Sequence, residues 1–219
     1  MAASKMGVGF LFMAVLITAP ANAESILFNS LGPGDAFDQG AVGFGFDEGQ
    51  EDTPDHRFAW GMPFKPSSTA TLRSLDLALF FIPDSPPGML VINLFAADGE
   101  LPGALLDTVT RTGFLQSGVY SFGSVAQPVL RFGQEYFVEA TTTGRAFGAW
   151  HGAGEEPPEF ARGADVFRLN DGPWQRAVGG RDVLALRVIG DPAPIPEPAT
   201  VILLGAAAAL VPLRRRLSR

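Results

Sequence analysis

The chain has 219 residues, 47% of them apolar, which is room for one domain with a real core and cramped for two. It holds no cysteine, so disulfides, thiolate metal sites and a cysteine nucleophile are excluded. The formal charge is −7, but five of the 16 basic residues (Lys5, Arg214, Arg215, Arg216, Arg219) sit near the ends, leaving residues 24–198 with 11 basic against 23 acidic, or −12; nucleic acid, whose phosphates demand the opposite sign, is excluded as a partner.

At the start of the chain Lys5 precedes an apolar run from Met6 to Ile17, and Thr18-Ala19-Pro20-Ala21-Asn22-Ala23 follows with small residues ending in an A-x-A pattern at Ala21 and Ala23. A basic start, an apolar stretch too short to span a bilayer and a small-residue cleavage site make a secretory signal peptide. Residues 1–23 are therefore expected to be read by the general secretion machinery and removed by signal peptidase after Ala23.

From Ser25 onward apolar residues recur with period two, as in Phe58, Trp60, Met62, Phe64 and again in Leu75, Leu77, Leu79, Phe81. Further strands are expected at 25–28, 89–96, 105–110, 119–125, 135–141, 147–150, 165–169 and 183–188. Turn signals separate them, for example Pro83-Asp84-Ser85-Pro86-Pro87-Gly88 and Asn170-Asp171-Gly172-Pro173. Gly and Pro contribute 26 and 18 residues, and no segment offers an ordinary amphipathic helix. About ten short strands predict an all-β fold: an antiparallel β-sandwich, jelly-roll-like, over residues 24–190, with an open barrel as the alternative. The strands near Ile26 and Leu186 are expected to lie together.

Within this body, Gly40-Ala41-Val42-Gly43-Phe44-Gly45 has no helix pattern after it and reads as a turn entering a strand, not as a cofactor loop. Asp47, Glu48, Glu51, Asp52 and Asp55 place five carboxylates in nine residues. Such hard oxygen ligands suit Ca²⁺, with Asp35 and Asp38 as further donors, although the spacing matches no EF-hand. A solvated acidic loop guarding a sheet edge is the plainer reading. His56 and His151 are the two histidines, so a His-rich metal site is excluded. His151 adjoins Trp150 and lies near Glu155, Glu156 and Glu159, yet lacks an identifiable nucleophile. Trp60 belongs to an alternating strand and is expected in the core. Trp150 and Trp174 flank turns and are the residues expected to be exposed, where with His151 they would stack on sugar rings.

After the body, residues 191–198 form a proline-rich linker containing Pro196-Glu197-Pro198. An apolar run from Ala199 to Leu213 and the cluster Arg214-Arg215-Arg216 complete the sequence. As a helix the 15-residue run would extend roughly 22 Å, short of a ~30 Å hydrocarbon core. The arginines would stay cytoplasmic and the body outside.

These three elements resemble a PEP-CTERM sorting signal. The resemblance implies a protein of an exopolysaccharide-producing Gram-negative bacterium, held briefly in the inner membrane by residues 199–219 and then cut near Pro-Glu-Pro by an exosortase-type membrane protease. The body resembles the choice-of-anchor β-sandwich domains that precede such tails, on Phe58 to Phe64, Val91-Ile92-Asn93-Leu94-Phe95, Gly103-Ala104-Leu105-Leu106, Tyr120-Ser121-Phe122 and Gln134-Glu135-Tyr136-Phe137-Val138. No catalytic motif is present, neither G-x-S-x-G nor H-E-x-x-H nor a phosphate loop. The expectation is an exported, non-enzymatic surface or matrix protein, glycan-binding or adhesive, with exopolysaccharide as partner. Two other readings stand beside it: a purely structural surface protein, and a polysaccharide hydrolase using a carboxylate pair drawn from Glu135, Glu139, Glu155 and Glu159.

Overall fold

A computed structural model describes residues 24–47, 56–83, 88–154, 165–177 and 183–192. The signal segment, the Pro-Glu-Pro linker and the apolar tail lie outside the described residues. So do Glu48, Glu51, Asp52 and Asp55; of the acidic stretch only the main chain of Asp47 is described.

The described residues form strands and no helix. In chain order these are β1 (Ser25–Asn29), β2 (Phe37–Asp47), β3 (His56–Phe64), β4 (Ala70–Ile82), β5 (Leu90–Asp98), β6 (Leu101–Arg111), β7 (Leu115–Gly123), β8 (Val129–Leu130), β9 (Tyr136–Thr142), β10 (Phe147–Ala153), β11 (Val166–Leu169), β12 (Gln175–Arg176) and β13 (Leu186–Pro192). All pair antiparallel in the order β1-β13-β4-β10-β2-β3-β9-β5-β6, with β7 and β8 on β4 and the β11–β12 hairpin on β3. Each strand expected from the alternation is present, with ends shifted by a few residues. The strands holding Ile26 and Leu186 are neighbours, Ile26 opposite Ile189.

Two long strands organise the sheet by changing partners along one edge. β4 pairs with β13 over Ala70 to Leu77 and then with β10 over Leu79 to Ile82. β3 pairs with β2 over His56 to Phe58 and then with β9 over Trp60 to Phe64. Where one partner leaves and the next arrives, the sheet must bend.

The bend brings distant strands onto one core. Leu75, Leu77, Leu79 and Phe81 of β4 join Leu27, Phe44, Phe64, Leu94 and Val188 in a single buried cluster. The Phe28 ring of β1 lies 5.8 Å from Phe64 of β3, although these strands stand far apart in the sheet order. Burying such rings supplies the main stabilisation, about 1.5–3 kcal/mol for each fully buried large apolar side chain.

β2 corrects the sequence reading. Its glycines make 40–45 look like a turn, yet the segment is a central strand paired along Phe37 to Gly45 with β10. Strand glycines mark bulges or close approach, and both occur here. The ladder is bulged opposite His151 and Gly152, and Gly45 has φ 101°, with a Cβ there falling 2.3 Å from the Ala146 carbonyl oxygen.

Candidate functional site: an aromatic cleft beside β2

β2 sends Val42 and Phe44 into the core, while Ala41, Gly43 and Gly45 contribute almost no side chain. Aromatic residues stand on either side. The ladder aligns Phe58, Gly45, Phe147 and Ile82 in one row across β3, β2, β10 and β4. Beyond that row β2 parts from β3, because β9 occupies the β3 edge from Trp60 onward. A cleft of about 280 Å³ opens there, lined by the 41–45 segment, Phe58, Trp60 and Phe147.

Its walls are held from behind. Trp60 lies against Phe167 of β11 with centroids 5.7 Å apart, and Phe147 meets Phe80 edge-on at 6.0 Å. Phe147 is 41% exposed. A Cβ on Gly43 would stand 3.1 Å from the Phe147 ring, so a side chain there would narrow the space. Among the described residues no ionisable side chain lines this cleft. What it offers is a preformed apolar trough with aromatic faces, which suits a ringed, uncharged ligand.

The tryptophans are distributed otherwise than expected. Trp150, expected at an exposed turn, is fully buried, and its indole Nε1–H donates to the Ala185 carbonyl at 2.9 Å. The reason is that β10 is an interior strand between β4 and β2, so its alternate residues face the core. Trp60, expected in the core, does pack against the main cluster but is only half-buried, and it lines the cleft. Trp174 is half-buried, edge-on to Phe95 at 6.0 Å.

His151 is also buried, on the opposite face of β10 from Trp150, and is not available as a surface ligand. Its ring lies 4.8 Å from Phe37, and Nε2 stands 3.3 Å from Ser117 Oγ. Burial lowers its pKa from the usual 6.5, against a smaller opposing effect of the Gln39 main chain. The imidazole is therefore neutral at pH 7.

A second polar cluster lies on the far side of the β3-β9-β5 sheet, under the β11–β12 hairpin. Gly61, Glu139, Asn93 and Thr108 pair in a row across β3, β9, β5 and β6. Gly61 leaves room for Val166 and Trp174 to lie over the row, since a Cβ there would be 2.7 Å from Val166. Asn93 Nδ2 donates to Glu139 at 2.7 Å, and Thr108 Oγ1 donates to Asn93 Oδ1 at 2.7 Å. Arg168 closes the row with Nε and a terminal nitrogen 2.7 and 2.6 Å from Glu139 Oε1, its guanidinium 4.8 Å from the Trp174 centroid. Burial pushes the Glu139 carboxyl above its usual 4.5, against the Asn93 hydrogen bond and the Arg168 charge.

Glu135 and Glu139 do not form a facing carboxylate pair. They lie four residues apart along one strand direction, roughly 13 Å at about 3.3 Å per residue. Glu139 is bound to Arg168, and Glu135 is 3.5 Å from Lys65. Glu155 and Glu159 lie outside the described residues.

Among the described residues no group of three or more His, Asp or Glu side chains converges to hold a metal ion. Asp35 bonds Arg187 at 2.6 Å, and Asp38 accepts from the Gly40 amide at 3.0 Å. The other carboxylates weighed for Ca²⁺, together with Pro196, Glu197, Pro198, Arg214, Arg215, Arg216, Ala21 and Ala23, are not among the described residues.

The sequence reading missed Phe58 and Phe147 as residues lining the cleft. The signal that exposes them is small residues at every second position of a strand, Ala41, Gly43 and Gly45, between two aromatic strands. No protein family and no curated protein sequence matches the chain.

Proposed function

We propose that this is an exported, non-enzymatic surface or matrix protein whose body is a jelly-roll-like β-sandwich that binds neutral sugar rings in the aromatic cleft. The reading combines the signal peptide of residues 1–23 with the PEP-CTERM-like tail, whose Pro196-Glu197-Pro198 would be cut by an exosortase-type protease. The observation that carries the binding role is the cleft itself: Trp60, Phe58 and Phe147 around a strand stripped of side chains at Gly43 and Gly45. Aromatic faces bind the C–H face of a pyranose, and an uncharged lining tolerates a polymer that a −12 body would repel if it were acidic.

The test is retention of the secreted protein on purified exopolysaccharide and on a glycan array. Trp60→Ala abolishes retention at a temperature where circular dichroism shows the variant still folded, although it melts earlier than the parent because Trp60 also packs on the main core. Equal retention of Trp60→Ala and the parent protein would remove the cleft from the account.

A further inference from the structure

Three of the exposed large apolar side chains, Ile26, Val129 and Phe132, lie at the end of the body where the chain leaves for its two apolar segments. Ser25 pairs with Gly190, and Pro192 pairs with Ala70 at the start of β4. Arg73 clamps the two exits together, 2.8 Å from Glu24 and 3.7 Å from Asp191. At this same end Phe132 is 71% exposed and Ile26 is 58% exposed, with Val129 beside them on β8. Phe132 is fixed by its amide donating to Thr69 Oγ1 at 3.0 Å, Val129 by pairing with Thr71, and Ile26 by its carbonyl accepting from Ser67 Oγ at 3.4 Å. Large apolar side chains pinned outward by main-chain contacts mark a surface made to meet something apolar.

The length of chain beyond Pro192 says what that is. Only six residues, Ala193-Pro194-Ile195-Pro196-Glu197-Pro198, separate this end from the apolar run at Ala199. A proline-rich linker extends about 3.1 Å per residue, so roughly 19 Å lies between the body and the membrane entry point. Charge permits close approach. Among the described residues at this end Lys65 pairs with Glu135 and Arg73 with Glu24 and Asp191, so these carboxylates are neutralised locally.

We propose that, while the tail is uncut, this end of the body rests on the outer surface of the phospholipid bilayer, with Phe132, Val129 and Ile26 in the interfacial layer. The inference rests on the reading of residues 199–219 as a membrane-inserted tail. Docked this way, the body keeps Pro192, where the linker begins, close to the membrane surface, where a membrane protease works. The aromatic cleft then points outward, near the other end of β4, whose 13 residues extend roughly 40 Å at about 3.3 Å each.

The chain has no cysteine, so a single introduced thiol can be labelled uniquely. Signal-cleaved chains carrying Phe132→Cys or Ile82→Cys, labelled with an environment-sensitive fluorophore, are reconstituted with vesicles of phosphatidylethanolamine and phosphatidylglycerol and first tested for flotation. In floating material the Phe132→Cys label loses most of its emission to lipids spin-labelled near the headgroup and is shielded from aqueous iodide; the Ile82→Cys label shows the reverse. Flotation with both labels equally open to iodide overturns the docking alone. A Phe132→Cys label shielded from both quenchers, with crosslinking that rises with protein concentration, overturns it in favour of a second copy. Failure to float overturns the tail reading and the docking with it.

Discussion

Replacing Arg168 with methionine should unfasten the hairpin that covers the outer face of β9. The substitution keeps much of the side-chain stem and removes the cation from Glu139, which is fully buried and, among the described residues, otherwise held by Asn93. Removing one partner of a buried ion pair costs about 3–5 kcal/mol. Arg168 retains 20% exposure, so water reaches part of the site and the low end, about 3 kcal/mol, applies. Loss of the guanidinium over Trp174 adds about 0.5–1 kcal/mol. With a urea slope of about 2 kcal/mol/M, the unfolding midpoint falls by roughly 1.5–2 M. In a Glu139→Gln background the same change should cost less than about 1 kcal/mol, because the amide keeps the Asn93 contact and needs no cation. Protonation should imitate that amide. Burial raises the Glu139 pKa above 4.5, so the folded protein keeps a proton that the unfolded chain has released; the contribution is fully present below 4.5 and is lost as pH rises through the raised value. The cost of Arg168→Met therefore shrinks on acidification. An equal cost in both backgrounds at every pH would mean that Arg168 acts through packing and not through charge.

Trp150→Ala should cost about 3–5 kcal/mol through the cavity it leaves, the Ala185 carbonyl keeping the Ala78 amide as donor, and glycan retention should be lost only as the fold is lost. His151→Gln should flatten the pH dependence of stability below 6.5: the folded pKa is lowered, so the unfolded chain takes the proton first and stability declines as pH falls. Urea midpoints measured from neutral pH downward check this, and an unchanged slope in the variant would refute it. Gly45→Ala should cost at least about 2 kcal/mol, since φ is 101° and the new Cβ would overlap the Ala146 oxygen, whereas Gly43→Ala, facing the movable Phe147 ring, should narrow the cleft at little cost in stability.

The alternation in β3 and β4 could be read directly, because a strand with one buried face writes its burial into every second residue. In β4 the alternate Leu75, Leu77, Leu79 and Phe81 are buried as expected, but Ser74, Asp76 and Ala78 between them are buried as well, so both faces are covered there, the second by pairing partners that the alternation does not show. β2 could not be read that way. Its glycines carry no hydropathy signal, and their reason for being there, the Phe147 ring over Gly43 and the Ala146 carbonyl against Gly45, belongs to a strand about a hundred residues away. Likewise Glu139 reads as one more acidic residue until Arg168, twenty-nine residues on, is seen to lie over it.

Local sequence thus determined the strands, the turns between them and the absence of cysteine chemistry, since side-chain period and backbone preference act over a few neighbouring residues. Which tryptophan is hidden and which is open was decided only in three dimensions. Trp150 and Trp60 occupy similar strand patterns and each is paired on both edges, but β3 exchanges β2 for β9 beside Trp60. Exposure there follows from where a neighbouring strand ends, and no window of sequence around either residue contains that fact.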